Sequence, residues 1–391
     1  MKKNVCMIVY NIYHKDQRVR REAEALATLP GYSVTVLTLK TNTVARRYYL
    51  DGVRVVEINI SKYYGKGTFK YMLSYIKFLL LSFVMCTWLF ILRQIDIVHV
   101  HNMPNFLVLA GIVPRLLGKK VILDIHDLVP ELFIVKFKKP SSILFKLFCF
   151  EELISCTLAN RIICSNHIQR DILVQRKIPL GKITICMNMP DNKRFNKKYI
   201  KSDNKIKDGK FKMVYHGTVT ERLGVDLSIR SVACLTKKIH NLEFYIWGYG
   251  DDYGNFVRLA KELNIQDRVY FNKEGFPLER LPSELCRMDL GIIGNRENIA
   301  TEMMLPVKLL ENIALGIPVV APRLKILEYY FSNDMVCYFE PENVDSMACA
   351  ILKLYNDESL RKMQADKAKA FLDQYGWEKH KIGLIQLYKT L

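Results

Sequence analysis

One stretch of this 391-residue sequence decides its fold class: Glu302-Met-Met-Leu-Pro-Val-Lys-Leu-Leu-Glu-Asn-Ile-Ala-Leu-Gly-Ile-Pro-Val-Val-Ala321. Pro306 suits the first position of a helix, where its missing N–H forfeits no hydrogen bond, and Gly316 suits the position just past a helix end. The apolar run after Gly316 is typical of a short strand that is buried on both faces. The stretch therefore predicts a loop, a short helix and a strand of a covered, parallel sheet.

The start of this predicted helix is a place where an anion can bind. Its free backbone N–H groups and the positive end of the helix dipole attract phosphate. Glu311 lies in the middle of the helix, where its carboxylate could chelate a ribose diol beside a bound diphosphate. The alternative is an ordinary surface glutamate in contact with water.

The run from Pro306 to Ala321 resembles the C-terminal signature of glycosyltransferase family 4, whose members are retaining, nucleotide-sugar-dependent enzymes of GT-B fold. In that family two glutamates contact the donor, the first at the sugar hydroxyls and the second at the ribose. The resemblance assigns these roles to Glu302 and Glu311. The spacing between them is one residue longer than usual, and the Gly-Phe-Gly that commonly follows the first glutamate is absent. It also places Leu305, Pro306 and Val307 at the donor.

Alternating strand and helix patterns run through most of the chain, which is long enough for two α/β cores. The fold class that follows is α/β, with two Rossmann-like domains facing across a cleft, as in GT-B enzymes. We expect an acceptor-binding, membrane-facing domain over residues 1–187, a linker over 188–209 and a nucleotide-sugar-binding domain over 210–372. In the GT-B family the last helix, here 373–391, returns to the N-terminal domain.

Runs of β-branched and apolar residues predict the strands, with helices between them. In the first half the predicted strands are 3–10, 32–39, 53–58, 96–100, 121–125 and 161–164. In the second half they are 210–217, 242–248, 269–272, 289–294 and 317–321. Ser165-Asn-His follows one of them and predicts a helix cap.

Net charge is distributed unevenly along the chain. Residues 1–200 contain 31 Lys and Arg against 13 Asp and Glu, a net charge of +18. Residues 201–391 hold the other 27 and 26, a net charge of +1. This asymmetry implies that the N-terminal half faces a polyanion, for which an anionic membrane surface and a nucleic acid both qualify.

Two apolar segments of the N-terminal half are candidates for contact with lipid. Residues 78–92 carry no charge between Lys77 and Arg93, but fifteen residues fall short of the ~20 needed to span a bilayer. With its flanking cations and Trp88, this segment is predicted to be a buried helix or a helix in the membrane interface, and a true membrane span is a third alternative. In residues 133–150 lysines interleave with aromatic residues, which indicates a second such surface or an amphipathic core helix after a basic loop.

A glycine-containing loop follows the first predicted strand of the second half. Gly217, with Thr218 beside it, lies where ligands bind in an open α/β sheet and would let the backbone approach a phosphate. Family members commonly have an arginine directly after this glycine and a lysine just before the next one. Here Arg222 or Lys308 could supply the cation for a diphosphate leaving group, and either could instead be a surface charge.

Gly248 and Gly250 resemble the family's glycine loop on the nucleotide side. Asp251 and Asp252 adjoin this loop, and a pair of aspartates could bind a metal ion. Adjacent loop residues usually point apart, and the family's transfer is metal-independent. We therefore expect no metal and no cofactor, the nucleotide sugar being a substrate.

Polar residues follow another predicted strand in Leu123-Asp-Ile-His-Asp-Leu-Val-Pro-Glu131. His126, Asp127 and Glu131 should therefore lie at the C-terminal edge of the sheet, facing the cleft. The stretch resembles the His-Asp-x-x-Pro-Glu segment of bacterial family 4 transferases, in which the histidine lies near the donor sugar. The alternative for His126 is a buried histidine whose hydrogen bonds are satisfied within the core.

Other candidates for the acceptor side come from two neighbouring loops. His101 and Asn102 end the preceding strand and are expected to line the same site. Asp16, Arg18 and Glu22 resemble the family's first-loop pattern near the acceptor. Arg18 and Glu22 could instead simply form an i,i+4 ion pair.

Cysteine usage and the start of the chain bear on the compartment. The ten cysteines have no Cys-x-x-Cys pairs or regular spacing, so they suggest neither a zinc site nor a disulfide framework. The apolar start ends at Asn11 and charges follow at Lys15 and Asp16, so it is interpreted as the first strand rather than a signal peptide. We expect a cytoplasmic protein, peripheral on the inner face of the cell membrane.

Together these features predict a retaining glycosyltransferase that uses a nucleotide sugar and a lipid-linked, polyprenyl diphosphate acceptor in exopolysaccharide or O-antigen synthesis. The basic, apolar N-terminal half is what indicates the lipid acceptor. A sugar-nucleotide epimerase of the same fold is an alternative, because fold alone does not determine function. A basic nucleic-acid-binding protein, an alternative from another class, would need aromatic side chains in a positive groove.

Overall fold

The computed structural model describes residues 2–41, 46–63, 68–137, 142–200 and 208–391, which fold into two compact units. The first unit comprises Met1–Asn188 and Glu378–Leu391, and the second comprises Met189–Trp377. The predicted linker starts at the end of the first stretch, and its residues 201–207 lie outside the described residues. So do residues 138–141 of the predicted basic-aromatic segment.

An eight-stranded sheet forms the centre of the first unit. Its strands are β1 (Lys3–Val9), β2 (Tyr32–Leu39), β3 (Arg47–Leu50), β4 (Val53–Ile58), β5 (Ile97–His101), β6 (Lys120–Ile125), β7 (Arg161–Cys164) and β8 (Ile183–Ile185). They lie in the order β3-β4-β2-β1-β5-β6-β7-β8, and every pair is parallel except β3 with β4. β5 is buried along its whole length, as a covered parallel strand should be.

Helices follow the strands of the first unit. They are α1 (Gln17–Ala27), α2 (Thr68–Ile91), α3 (Ile112–Leu116), α4 (Val129–Phe137), α5 (Ser142–Leu158) and α6 (His167–Gln175). Asp16 caps α1 by accepting a hydrogen bond from the Val19 N–H at 3.1 Å. The predicted cap at Ser165-Asn-His is confirmed, because Asn166 accepts from the Gln169 N–H at 2.9 Å.

α2 is longer than the predicted apolar segment, and the estimate that it is too short to span a bilayer is corrected. Its residues Lys70–Ile91 are long and apolar enough, by length and composition, to cross a membrane. Lysine is a good helix former whose long stem can carry the ammonium away from an apolar surface, so Lys77 does not end the helix. One face of α2 is buried, and its side chains are Tyr75, Phe78, Ser82, Cys86 and Leu89.

The second unit has a six-stranded, all-parallel sheet. Its strands are β9 (Phe211–His216), β10 (Leu242–Trp247), β11 (Val269–Asn272), β12 (Leu290–Ile292), β13 (Val319–Pro322) and β14 (Cys337–Phe339). Their order, β11-β10-β9-β12-β13-β14, is the 3-2-1-4-5-6 order of a Rossmann sheet. The helices are α7 (Val225–Leu235), α8 (Tyr253–Glu262), α9 (Leu281–Leu285), α10 (Val307–Ala314), α11 (Lys325–Tyr330), α12 (Val344–Asn356) and α13 (Glu358–Tyr375).

The deciding stretch forms the predicted loop, helix α10 and strand β13, with one correction. Pro306 is the cap residue, with φ −70° and ψ 120°, and the first helical residue is Val307. The fixed φ of proline fits both positions, and only ψ distinguishes them. Gly316 has φ 63° just beyond the helix, as predicted, and β13 is buried throughout.

Three short strands were not predicted from the sequence. β3 is an exposed edge strand, β8 has three half-buried residues, and β14 also has three residues. β3 pairs with β4 through the turn Asp51-Gly52, in which both residues have positive φ. An Asp-Gly turn of this kind is a hairpin signal that the sequence did contain.

The last helix, α14 (Trp377–Lys389), belongs from Glu378 onward to the first unit. Its Tyr388 hydroxyl lies 2.7 Å from Nδ1 of His99 on β5. The fold class is confirmed as two Rossmann-like α/β units. In each sheet the strand order reverses beside the first strand, β1 or β9, and such a switch point is where open α/β sheets bind ligands.

Candidate functional site

Two loops at the switch point of the second unit pack closely on each other. The Gly217 N–H donates to the Trp247 carbonyl at 2.8 Å, and the Val219 N–H donates to the Tyr249 carbonyl at 3.1 Å. A Cβ on Gly248 would lie 2.0 Å from the Gly217 oxygen, and one on Gly250 would lie 2.1 Å from the Val219 oxygen. Both glycines are therefore required for this packing, whatever they contribute to a ligand.

Lys308, near the start of α10, points toward the first of these loops. Its Nζ donates to the Tyr215 hydroxyl at 2.7 Å and lies 3.9 Å from the centre of that ring. The Tyr215 hydroxyl donates in turn to the Thr218 carbonyl, and a Cβ on Gly217 would lie 3.7 Å from Cε of Lys308. Burial lowers the pKa of Lys308 to about 7. The structure thus brings predicted residues Gly217, Thr218 and Lys308 together, around a tyrosine that the sequence did not single out.

Glu311 is buried and paired. Its Oε2 lies 2.8 Å from Nε2 of His216, the last residue of β9. Nδ1 of His216 is buried and has no hydrogen-bond partner among the described residues. The interpretation of Glu311 as a water-exposed surface residue is therefore wrong. His216 was not predicted as a site residue, although its place just before Gly217 was a usable signal.

Arg222 lies in the segment after β9, and Glu302 lies in the segment before α10. Arg222 donates to Sδ of Met304 at 3.7 Å, which brings it to the segment containing Leu305, Pro306 and Val307. Glu302 accepts from the Lys325 N–H at 2.8 Å, at the first residue of α11. Glu302 thus has a structural partner away from Glu311, and its donor role stays a prediction.

Asp252, beside Gly250, also has a backbone partner. Its Oδ2 accepts from the Glu221 N–H at 2.8 Å and so links the loops after β9 and β10. Asp252 therefore holds these two loops together, and this contact does not involve the neighbouring Asp251.

A buried ionic network lies at the C-terminal ends of β5 and β6 in the first unit. Asp124 accepts from Nη2 of Arg18 at 2.5 Å, and its Oδ2 lies 3.0 Å from both Nδ1 of His101 and Nε2 of His126. Glu22 lies 3.3 Å from Arg18, so the predicted i,i+4 pair exists inside a larger cluster. Asp124 is its centre, and a charged residue within a buried strand was the signal that sequence reasoning passed over.

The protonation of this network follows from its charges. Burial would raise the pKa of Asp124, but Arg18 and His126 hold it well below its usual range. Burial would lower the pKa of His126, and Asp124 raises it above its ordinary value. Burial and the nearby Asp124 raise the pKa of Glu22. His126 is therefore held by an ionised aspartate, which favours the protonated imidazole.

The same region contains a group of metal-type ligands. One ligand atom each from Glu22, His99, His101 and Asp124 lies within 4.8 Å of the others. Arg18 already contacts both carboxylates of this group, and its guanidinium supplies positive charge there. The expectation that the reaction needs no metal stays a prediction.

The other acceptor-side candidates have varied surroundings. Asn102 accepts from the His126 N–H at 2.8 Å and donates to the Asp127 carbonyl at 2.8 Å, so these three residues lie together. Glu131 is buried on α4 and paired with Arg176, the residue that follows α6, outside that group. Asp16, besides capping α1, accepts from Nδ2 of Asn11 at 2.8 Å.

Cationic residues follow three adjacent strands at this edge of the first sheet. Lys15, Lys40 and Lys62 come after β1, β2 and β4, and Nζ of Lys62 donates to Oδ1 of Asn11 at 2.9 Å. Burial lowers the pKa of Lys62, while Asp16 raises it. We call these three lysines the lysine rim. It offers an anionic group a binding place at the end of β1.

Two helices of the first unit expose apolar faces. On α2 the exposed side chains lie opposite the buried face, and those of Val84, Trp88 and Ile91 are 60% exposed or more. On α5 one exposed face carries Ile143, Leu147, Phe150 and Ile154. Both helices pack against residues 105–111, so they lie on the same side of the sheet. Contiguous apolar surface of this kind indicates contact with a membrane or a partner.

Comparison with known proteins assigns a family to both halves of the chain. Residues 17–194 match the family described as Glycosyltransferase Family 4, and residues 196–371 match the family described as Glycosyl transferases group 1. The phosphatidylinositol N-acetylglucosaminyltransferase GPI3 subunit of Saccharomyces cerevisiae is 22% identical over 356 residues. That alignment covers 89% of this chain and 72% of the yeast protein.

Solved structures agree on the fold. Sucrose-phosphate synthase from Thermosynechococcus elongatus has a TM-score of 0.75 at 16% identity, covering 100% of this chain and 99% of that one. Alr3699/HepE from Anabaena, in complex with UDP, has a TM-score of 0.71 at 12% identity, covering 100% of both chains. At these identities the likeness establishes the architecture alone.

Proposed function

Since this chain belongs to glycosyltransferase family 4 and is a glycosyltransferase of GT-B type, we propose that it uses a nucleotide sugar to glycosylate a saccharide carried on a lipid diphosphate. The reaction would retain the anomeric configuration and need neither metal nor cofactor. Its product would be a building unit of a surface polysaccharide such as an exopolysaccharide or O-antigen. The enzyme would work at the inner face of the cell membrane.

The second unit supplies the donor-binding groups in this proposal. Lys308 and Arg222 would bind the diphosphate together with the free N–H groups at the start of α10, and Glu311 would bind the ribose. His216 holds Glu311 through a 2.8 Å contact, so the carboxylate is already oriented. The UDP carried by the similar Anabaena protein supports a nucleoside diphosphate as the ligand class.

The chemical step in this proposal is departure of the nucleoside diphosphate. The bond between the sugar C1 and the diphosphate oxygen breaks, and Lys308, Arg222 and the helix amides stabilise the charge that develops on the leaving oxygen. The acceptor hydroxyl attacks C1 on the face from which the diphosphate leaves and passes its proton to the departing diphosphate oxygen, so the configuration is retained. No second carboxylate of the glycosidase type is required.

A lipid-linked acceptor is supported chiefly by the exposed apolar face of α2, in the same unit as the lysine rim. An acceptor with a diphosphate head and an apolar chain matches both features of the first unit. α2 would lie in the membrane interface, because its other face is already packed on the protein's own sheet and loops. The yeast relative is named for a phosphatidylinositol acceptor, which is also a lipid.

Transfer of label to lipid tests the proposal directly. The full chain is incubated with radiolabelled UDP-, GDP- or ADP-sugars, chosen by the rise in melting temperature that each causes. Membrane lipid extract or a synthetic polyprenyl diphosphate saccharide is present or absent. We expect organic-extractable label only with the lipid, and an unchanged anomeric configuration by NMR of the product.

Two results would contradict the proposal. Conversion of the sugar nucleotide into an epimer without any lipid would identify the epimerase alternative. Transfer of the sugar to water or to soluble sugars alone, at the same rate with and without lipid, would contradict the proposal of a lipid-linked acceptor. A reaction without the protein serves as the negative control for background label.

A further inference from the structure

An apolar pocket lies at the C-terminal edge of the first sheet. Its volume is about 160 Å³, and its walls come from α2, the segment after β5, α4 and α5. The lining is formed by tyrosine, methionine, phenylalanine, proline, valine and leucine side chains, with a single carboxylate, that of Glu151. The Glu151 carboxylate accepts hydrogen bonds from Nδ2 of Asn105 at 3.2 Å and from Oγ of Ser155 at 2.9 Å.

The pocket adjoins the polar group around His126 through one short segment. Asn102 contacts the backbone of His126 and Asp127, and the next two residues, Met103 and Pro104, line the pocket. The polar group and the apolar pocket therefore meet at two consecutive residues, Asn102 and Met103. A ligand that has a polar head bonded directly to an apolar chain would occupy both at once.

The pocket is also continuous with the exposed apolar surface and close to the lysine rim. Met72 lines the pocket and is one of the exposed apolar side chains of α2. Tyr75, another lining residue, stacks edge-on against Tyr10 at the end of β1, with ring centres 4.5 Å apart. Tyr10 directly precedes Asn11, whose side chain accepts from Lys62 of the rim.

We infer that this pocket binds the first isoprenoid unit of the acceptor's lipid chain, the unit bonded to the diphosphate. The inference rests on the proposed function and adds the place where the chain is recognised. A cavity of about 150 Å³ lined by apolar side chains accommodates benzene, so this one suits a group of about five carbon atoms. The diphosphate then lies between the polar group around His126 and the lysine rim, which adjoin through Asp16 and Asn11, and away from Glu151, whose negative charge would repel it.

Binding of short prenyl diphosphates to the full chain tests this inference without a membrane and without sugar transfer. Isothermal titration calorimetry compares geranyl diphosphate with methyl diphosphate, both below any micelle-forming concentration. The same diphosphate contacts are available to both probes, so a difference reports the chain. We expect the wild type to bind the geranyl compound at least tenfold more tightly, since one methylene in a pocket already contributes roughly tenfold or more.

Two variants occlude the pocket in different ways. Leu132→Trp fills it from α4, and Met72→Trp narrows it from the exposed side of α2, where a folding defect is not expected. Both should lose the preference for geranyl diphosphate and keep the affinity for methyl diphosphate. Leu180→Trp, at an exposed site outside the pocket, is the matched control and should behave as the wild type.

The outcomes separate this inference from the proposed function. Equal affinity of the wild type for the two probes, or a geranyl preference that survives in Met72→Trp and in folded Leu132→Trp, overturns the pocket assignment. Sugar transfer to lipid at the wild-type rate by both variants would also overturn it while the proposed function stands. Chain-dependent binding without any sugar transfer would support the pocket and contradict the proposed function.

Discussion

Lys308 is the residue whose ionisation should govern donor binding. Its pKa of about 7, lowered by burial, means that it is mostly protonated below pH 7 and mostly neutral above it. An anionic diphosphate favours the charged form, so binding above pH 7 must take up a proton and the Kd should rise with pH. Titration calorimetry at pH 8, in two buffers of different ionisation enthalpy, measures this uptake. Lys308→Met should abolish it and weaken binding about 10- to 100-fold.

The assignment of Lys308 to the donor site would be contradicted if the wild type and Lys308→Met behaved alike. Equal proton uptake by the wild type and Lys308→Met, with unchanged Kd, would show that another group titrates. Loss of binding through misfolding is recognised by the melting temperature of the variant. Replacing a buried amine with an apolar side chain of similar length should not lower that temperature.

Glu311 and Glu302 provide a matched pair for testing which glutamate binds the donor. Glu311 is buried on α10, and the N-terminus of that helix attracts phosphate. Glu302 instead accepts a hydrogen bond from the Lys325 N–H at the start of α11. We expect Glu311→Gln to raise the donor KM roughly tenfold or more, as for loss of a charge-assisted hydrogen bond. Glu302→Gln should change it less than threefold. A larger effect of Glu302→Gln in steady-state kinetics would restore the two-glutamate arrangement of the family.

Asp124 is expected to be the residue with the largest effect on the stability of the first unit. Asp124→Asn removes the carboxylate that Arg18 contacts at 2.5 Å and leaves this buried guanidinium paired with Glu22, which costs about 3 kcal/mol of unfolding free energy. Because the pKa of Asp124 is lowered in the fold, this contribution is present above the unfolded-state pKa and disappears as the pH falls through acid values. Urea unfolding at pH 7 and pH 2.5 measures both, because the contribution is lost only below the unfolded-state pKa of an aspartate. Asp51→Asn, at an exposed ion pair with Arg20, should cost less than about 1 kcal/mol.

Single residues also mark where sequence reasoning reached its limit. The motif residues Gly217, Lys308 and Glu311 could be named because helix ends and strand ends have recognisable neighbours. Their partners could not, because Tyr215 and His216 belong to strand β9, 93 and 95 residues away in sequence from Lys308 and Glu311. Pairings of that kind depend on the sheet order, which no local pattern specifies.

At the level of elements, α2 has two apolar faces with different roles. Replacing Val84, Trp88 and Ile91 by serine changes only side chains that are largely exposed, so the melting temperature should stay within about 2 °C. Binding to vesicles should fall about tenfold or more, because each apolar side chain inserted in lipid contributes on the order of 1 kcal/mol or more. Co-sedimentation with phosphatidylglycerol-containing vesicles measures this. Leu180→Ser with Ile382→Ser, two exposed sites on other elements, is the control.

Unchanged vesicle binding of the triple variant would show that α2 does not contact the membrane. A large loss of thermal stability would show that the exposed face is covered within the protein. Either result would leave the lysine rim as the remaining feature for membrane attraction.

The long strands and helices were predictable because their periodic or fully apolar patterns extend over several residues. β1, β2, β4 and β9 were located from such runs. β8 and β14 escaped because three residues carry too little pattern, and tertiary pairing creates them. The length of α2 was underestimated because Lys77 was treated as its N-terminal limit, although a charge does not end a helix.

For the whole molecule, the net charge of +18 in residues 1–200 must have an anionic counterpart, and the nature of that counterpart separates a membrane enzyme from a nucleic-acid-binding protein. Phosphate contacts alone make binding to DNA steeply salt-dependent, whereas apolar insertion adds a contribution to vesicle binding that salt does not screen. We therefore expect binding to anionic vesicles to persist at 150 mM salt, to weaken on neutral vesicles, and to exceed binding to single- or double-stranded DNA at the same salt. Co-sedimentation and gel shift at matched salt provide the comparison. Tight DNA binding without vesicle binding would contradict the lipid-acceptor proposal. The anionic partner of the basic half would then be DNA, which cannot provide apolar contacts for the exposed face of α2.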